Sequence, residues 1–145
     1  MPELKIEARI ENLDQVLTFI EKNLEAWDCS MKAQMQIAIA VEEIFVNIAH
    51  YAYAPRTGSA VVLVEVKESP LEVVITFIDR GIPYDPLKSK EPDVTLSAED
   101  REIGGLGIFL VKKVMDDVTY EYRDGQNILR IRKKLERWED SRPGL

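Results

Sequence analysis

The sequence predicts an α/β (α+β) two-layer sandwich, a mostly antiparallel sheet carrying its helices on one face. Three observations lead there. The chain opens with "LKIEARIE", where Leu4, Ile6, Ala8 and Ile10 alternate with charged residues at the period of a half-buried strand. Two segments with helical periodicity follow. Runs rich in β-branched residues then return as two pairs, with a long polar loop and one more helix between the pairs. The resulting order, β-α-α-β-β-loop-α-β-β, suits helices layered against one side of a sheet.

Each element has its own grounds. Asn12 with Gln15 three residues on resembles a capping box. The helix after it lines up Leu13, Val16, Leu17, Ile20 and Leu24, and ends near Trp27 and Asp28. Ser30 can cap the second helix, "MKAQMQIAIAVEEIFVNIAHYAY". Its apolar residues (Met35, Ile37, Ala38, Ile39, Val41, Ile44, Phe45, Ile48) run most of the way round, which predicts a helix lying across the middle of the domain. "SAVVLVEVKES" and "LEVVITFID" read as a hairpin about Ser69 and Pro70. "RGIPYDPLKSKEPDVTLSAEDREIGG" is long, polar and proline-bearing, as functional lids and binding loops are. "LGIFLVKKVMDD" resumes a helix with Leu106, Phe109, Leu110, Val111 and Val114 inward. Two strands around Asp124-Gly125 close the chain.

Bulk properties narrow the class. The 145 residues suit one domain spanning 1–145, and 46% hydrophobic with 31% charged residues argues against disorder. A net charge of −7 argues against nucleic acid or an anionic membrane as partner. The basic run "RIRKKLER" is followed at once by Glu136, Glu139 and Asp140, and reads as an edge strand with solvated charge. Cys29 is the only cysteine, which excludes an internal disulfide. The start lacks the pattern of a signal peptide, and no apolar run approaches a membrane span. The expectation is a soluble, cytoplasmic protein.

Three motifs carry chemistry. In "EEIFVNIAHYAY", Glu43 and Asn47 stand one helical turn apart. An asparagine oxygen suits Mg²⁺ and a neighbouring glutamate can take a proton, although the same pattern fits a polar stripe at the solvent edge of a buried helix. In "FIDRGIP", Asp79 ends a strand two residues before Gly81. It can accept the amine of an adenine while Gly81 allows close approach, or the pair can form an ordinary turn. In "IGGLGIFLV", Gly104, Gly105 and Gly107 lead the loop into a helix, as a phosphate cradle or as a hinge with close helix packing. Taken jointly and in this order, they are the parts of one ATP site.

At these residues the chain resembles the Bergerat-fold (GHKL) ATPases shared by gyrase, Hsp90 and histidine kinases. "EEIFVN" is similar to the family's N box, "DRG" to its first glycine box and "GGLG" to its second. Within the family, "EEIFVNIAHYAY", "DRGIPYDP" and "GGLGIFLVKKVMDDVTYEY" most resemble the anti-sigma-factor serine kinases, over roughly residues 4 to 135. The resemblance implies ATP and Mg²⁺ as cofactors and a small anti-anti-sigma protein as phosphorylated partner, with a sigma factor as a second partner left open. It implies Glu43 as general base, Asn47 as Mg²⁺ ligand and Asp79 as adenine anchor with Gly81 beside it. It further implies Gly105 and Gly107 as phosphate binders, Gly104 as an aid to lid movement, and Arg101 in the lid near phosphate. The lid would span about Pro83 to Gly104 and gate exchange. His50 falls within the ATP-site helix, and its expected task is a hydrogen bond steadying the segment into Tyr51 and Tyr53. A non-catalytic, nucleotide-dependent binding module and a simple ATP hydrolase stay open, and the apolar helix faces permit a homodimer.

Overall fold

The computed structural model describes residues 1–88 and 105–135. The alternation at the start becomes β1 (Glu3–Glu7), and the first helical stripe becomes α1 (Leu13–Leu24). The second becomes α2 (Met31–Asn47), continued by a π-helical turn over Ile48–Ala52. The hairpin is β2 (Ser59–Lys67) and β3 (Glu72–Asp79). After α3 (Gly105–Val114), β4 (Asp117–Arg123) and β5 (Gln126–Lys134) complete the sheet. The strands lie in the order β1-β2-β3-β5-β4, and all four pairings are antiparallel. No helix among the described residues is long and apolar enough to cross a membrane.

The core lies between sheet and helices. Val62 and Val64, Val73, Ile75 and Phe77, and Leu129 and Ile131 share one parity on adjacent strands and meet Val16, Ile20, Ile37, Val41, Ile44 and Phe45. α2 packs against both α1 and α3, so it occupies the centre of the helical layer. Its outer side is nevertheless apolar: Met31, Met35 and Ile39 are 64, 61 and 41% exposed. The expectation of burial most of the way round thus holds for the sheet-facing half alone. On α3 the inward residues include Ile108 and Val111, with Met115 just beyond, whereas Leu110 turns to solvent.

Local chemistry explains the boundaries. Ser30 has extended backbone angles and its Oγ accepts from Ala33 N at 3.1 Å, the expected cap of α2. Asn12 does not cap α1. A short 3₁₀ turn over Ile10–Asn12 precedes the helix, Asn12 lacks the extended angles of a cap, and its Nδ2 turns back to donate to Glu7 O at 2.9 Å. Asp124 and Gly125 take φ of 55° and 78°, the two left-handed positions that join right-twisting strands through a two-residue turn.

The basic run near the end is not an edge strand. β5 is paired on both sides, by β3 and β4, and β4 forms the edge. Its charges are tied down instead: Arg130 pairs with Glu121 at 3.1 Å and Arg132 with Glu72 at 2.9 Å on the face away from the helices. Lys133, of opposite parity, donates to the terminal carbonyl of α3 at Val114, 2.8 Å away. Neighbouring acids on adjacent strands gave the run its charge balance, which a reading by composition assigns to solvent.

Candidate functional site

One end of the helical layer opens into a cavity of about 570 Å³. Its walls are largely apolar, with Ile44, Ile48, Phe77, Ile108 and Leu129 among them, and Asn47, Asp79, Asn127, Tyr51, Tyr84 and Tyr120 bring polar groups to it. α2, the end of β3, the start of α3, β4 and β5 therefore converge here. Such a chamber, apolar with a few convergent polar groups, is the usual form of a small-molecule site.

Asp79 is the last residue of β3 and 6% exposed. Its Oδ1 accepts from Gly81 N and from Asn127 Nδ2, each at 2.9 Å. Its Oδ2 has no partner among the described residues. Burial pushes the carboxyl pKa up, and the hydrogen bonds from Asn127 and Gly81 oppose that rise.

Asn127 is the neighbour of Asp79 across the β3–β5 ladder and is equally buried. Besides Asp79, its Nδ2 donates to Ile82 O at 2.9 Å, and its Oδ1 accepts from Tyr84 N at 3.2 Å and from the Tyr120 hydroxyl. Burial raises the Tyr120 pKa, keeping its proton in place for that bond. Sequence reasoning missed Asn127, Tyr120 and Tyr84. The available signal was parity: in "QNILRIRKK", Asn127 shares the inward face with Leu129 and Ile131, where a polar side chain demands partners.

Gly81 has a use beyond the one expected. A Cβ there would stand 2.0 Å from the carbonyl oxygen of Ala52, and Ile82 N donates to that same oxygen at 2.9 Å. The glycine lets the loop after β3 seat on the π-helical turn that ends α2. Tyr53 fastens the same junction: its hydroxyl donates to Ser59 O and accepts from Arg80 N, both at 2.7 Å. The steadying hydrogen bonds thus come from Ala52 and Tyr53. His50 is exposed and forms no hydrogen bond among the described residues, only a ring contact with Tyr51 at 6.0 Å.

The other expected residues divide. Asn47 lines the cavity, is half-buried, and its amide forms no hydrogen bond among the described residues. Glu43 stands one turn earlier on α2, half-buried and outside the cavity wall. Its pKa is raised, first by burial and then by the charge of Glu42. Gly105 and Gly107 fall in the first turn of α3, whose Ile108 reaches the cavity. Arg101, Gly104 and the lid from Ser89 onward lie outside the described residues.

The architecture defines a class. Residues 6–133 match the family described as histidine kinase-like ATPase domain, and the chain belongs to that family. It is 28% identical over 102 residues to the serine/threonine-protein kinase BtrW of Bordetella bronchiseptica, covering 70% of this chain and 71% of that one. Identity to the serine-protein kinase RsbW of Listeria monocytogenes is 33% over 105 residues, 69% of this chain and 66% of that one. For RsbW of Bacillus cereus it is 30% over 95 residues, and the match spans only 58% of that relative. Among solved structures, the RsbU and RsbW domains of a Mycobacterium tuberculosis protein share the fold with a TM-score of 0.66 at 17% identity, over 94% of this chain and 33% of that chain. The histidine kinase domain of Erythrobacter litoralis EL346 shares it at 0.51 and 18% identity, over 85% of this chain and 61% of that one.

Proposed function

We propose that this domain binds Mg·ATP and transfers the γ-phosphoryl group to a serine or threonine of a small anti-anti-sigma (STAS-type) protein, as a cytoplasmic regulator. The observation that carries this reading is Asp79, a buried carboxylate with one oxygen committed and the other without a partner among the described residues, at the wall of an apolar chamber. A flat purine whose exocyclic amine reaches that oxygen suits both the shape and the charge. The relatives' names as serine-protein kinases support a protein hydroxyl as acceptor.

The residues present also fit the magnesium ion. Among the described residues no three His, Cys, Asp or Glu side chains gather as a metal cage. Mg²⁺ needs none, since it keeps waters and phosphate oxygens around one or two protein ligands. The amide oxygen of Asn47 would be that ligand. When bound, the ion neutralises phosphate charge and helps orient the transferred group. Gly105 and Gly107 would offer backbone N–H groups and the positive end of α3 to the phosphates, while Gly104 would aid lid movement and Arg101 would neutralise phosphate charge. Glu43 would accept the proton of the acceptor hydroxyl as its oxygen bonds to the γ-phosphorus and the bond to the β–γ bridging oxygen breaks, releasing ADP. Burial and Glu42 make Glu43 a stronger base than an ordinary glutamate. The same reading allows a sigma factor as second partner and a homodimer as the working form.

Labelled ATP with Mg²⁺ and a purified anti-anti-sigma protein tests the proposal. Wild type should label the acceptor on serine or threonine, and Glu43→Gln should lower transfer by about 100-fold or more while still binding ATP. Transfer that survives in Glu43→Gln contradicts the assignment of the base. Turnover without any protein acceptor favours a simple hydrolase, and nucleotide-dependent partner binding without transfer favours a non-catalytic regulator.

A further inference from the structure

The ATP reading leaves a buried polar network unexplained. An adenine anchor needs one carboxylate, yet Asp79 is built into an arrangement with Asn127, Tyr120 and the backbone of residues 81–84. Two fixed partners determine the orientation of the Asn127 amide. Ile82 O can only accept, so it takes Nδ2; Tyr84 N can only donate, so it takes Oδ1. The Tyr120 hydroxyl occupies the second lone pair of Oδ1, and Asp79 Oδ1 receives the second amide proton. An amide so held cannot flip without setting donor against donor and acceptor against acceptor.

The consequence falls on Asp79. With Oδ1 holding two donors, from Asn127 and Gly81, only Oδ2 remains for a ligand, and it remains as an acceptor. An acceptor suits a purine bearing an amine at C6 and is repelled by one bearing a carbonyl there. Resting on the ATP reading above, we propose that Asn127, locked by Tyr120, is the specificity-determining positioning residue of this pocket: it fixes Asp79 to select 6-amino over 6-oxo purine nucleotides. Asn127 acts through Asp79 rather than on the reacting atoms. Without it, Asp79 loses a donor that favours its ionised form, both carboxyl oxygens become available, and a proton on either can be offered to a C6 carbonyl.

The test compares ATP with inosine triphosphate, which differs at C6, by titration calorimetry with Mg²⁺ on wild type, Asn127→Leu and Tyr120→Phe. Wild type should favour ATP by about 100-fold, the range expected when a buried hydrogen-bonding group meets the wrong partner. Asn127→Leu should shrink that ratio by about tenfold or more, chiefly through weaker ATP binding, and Tyr120→Phe should shrink it by a smaller factor. Tyr120→Phe removes one oxygen and keeps the ring, so it carries the test if Asn127→Leu does not fold. A general structural role would weaken both nucleotides alike; an unchanged ratio in folded variants overturns this inference and leaves the ATP reading standing. Failure of folded wild type to bind either nucleotide overturns both.

Discussion

Asp79 illustrates how a single residue trades stability for a site. Burial raises its pKa, so the folded state holds the proton more tightly than the unfolded chain does. The stability it contributes is therefore fully present below the ordinary aspartate pKa and is lost as pH rises through the raised folded value. Asp79→Asn removes that charge while its Oδ1 can still accept from Gly81 and Asn127. We expect the variant to equal or exceed wild type at neutral pH by on the order of 1 kcal/mol, with the gain shrinking in acid. Chemical denaturation at the two pH values checks this. A variant clearly less stable than wild type at neutral pH would contradict the account of Asp79 as a strained acceptor.

At the scale of elements, the decisive contact joins the π-helical turn after α2 to the loop after β3. Gly81 seats on the carbonyl of Ala52, and Tyr53 bridges Ser59 and Arg80. A Cβ at residue 81 would meet backbone rather than a flexible side chain, so Gly81→Ala should cost roughly 1–3 kcal/mol by displacing the loop. Thermal denaturation should register that loss, and nucleotide binding should weaken with it because the loop begins directly after Asp79 and carries Ile82. Full stability in Gly81→Ala would show that the junction yields freely.

The same scale separates what the sequence discloses from what it conceals. Among the described residues periodicity placed the strands and the α-helices, but not the 3₁₀ turn over Ile10–Asn12 or the π-helical turn over Ile48–Ala52, because core-facing side chains recur at fixed intervals and Ser30 and Asp124-Gly125 mark their own boundaries. Motif spacing brought Asn47 and Asp79 to one cavity. Pairing partners were hidden: β5 lies inside the sheet because it pairs with β3, more than forty residues earlier along the chain, as well as with its hairpin neighbour β4. Asn12 failed as a cap because a preceding turn altered its backbone angles, which no spacing rule records. The network of Asn127 went unseen for a similar reason, since its partners come from three separate segments.

For the whole molecule, an antiparallel five-stranded sheet under three helices brings strand ends and helix ends to one opening. The face presenting Met31, Met35 and Ile39 lies on the same helix as Glu43 and Asn47, so surface and chamber share a single element. The central claim is that the chamber binds magnesium and adenine nucleotide through Asp79 and Asn47. Its most direct test is calorimetry of ADP and a non-hydrolysable ATP analogue, with and without Mg²⁺, on wild type and Asp79→Asn. The account predicts binding that Mg²⁺ strengthens and that Asp79→Asn weakens by roughly 10- to 150-fold, the loss of a hydrogen bond to a charged group. Absence of binding to folded wild type, or equal binding by Asp79→Asn, would contradict it.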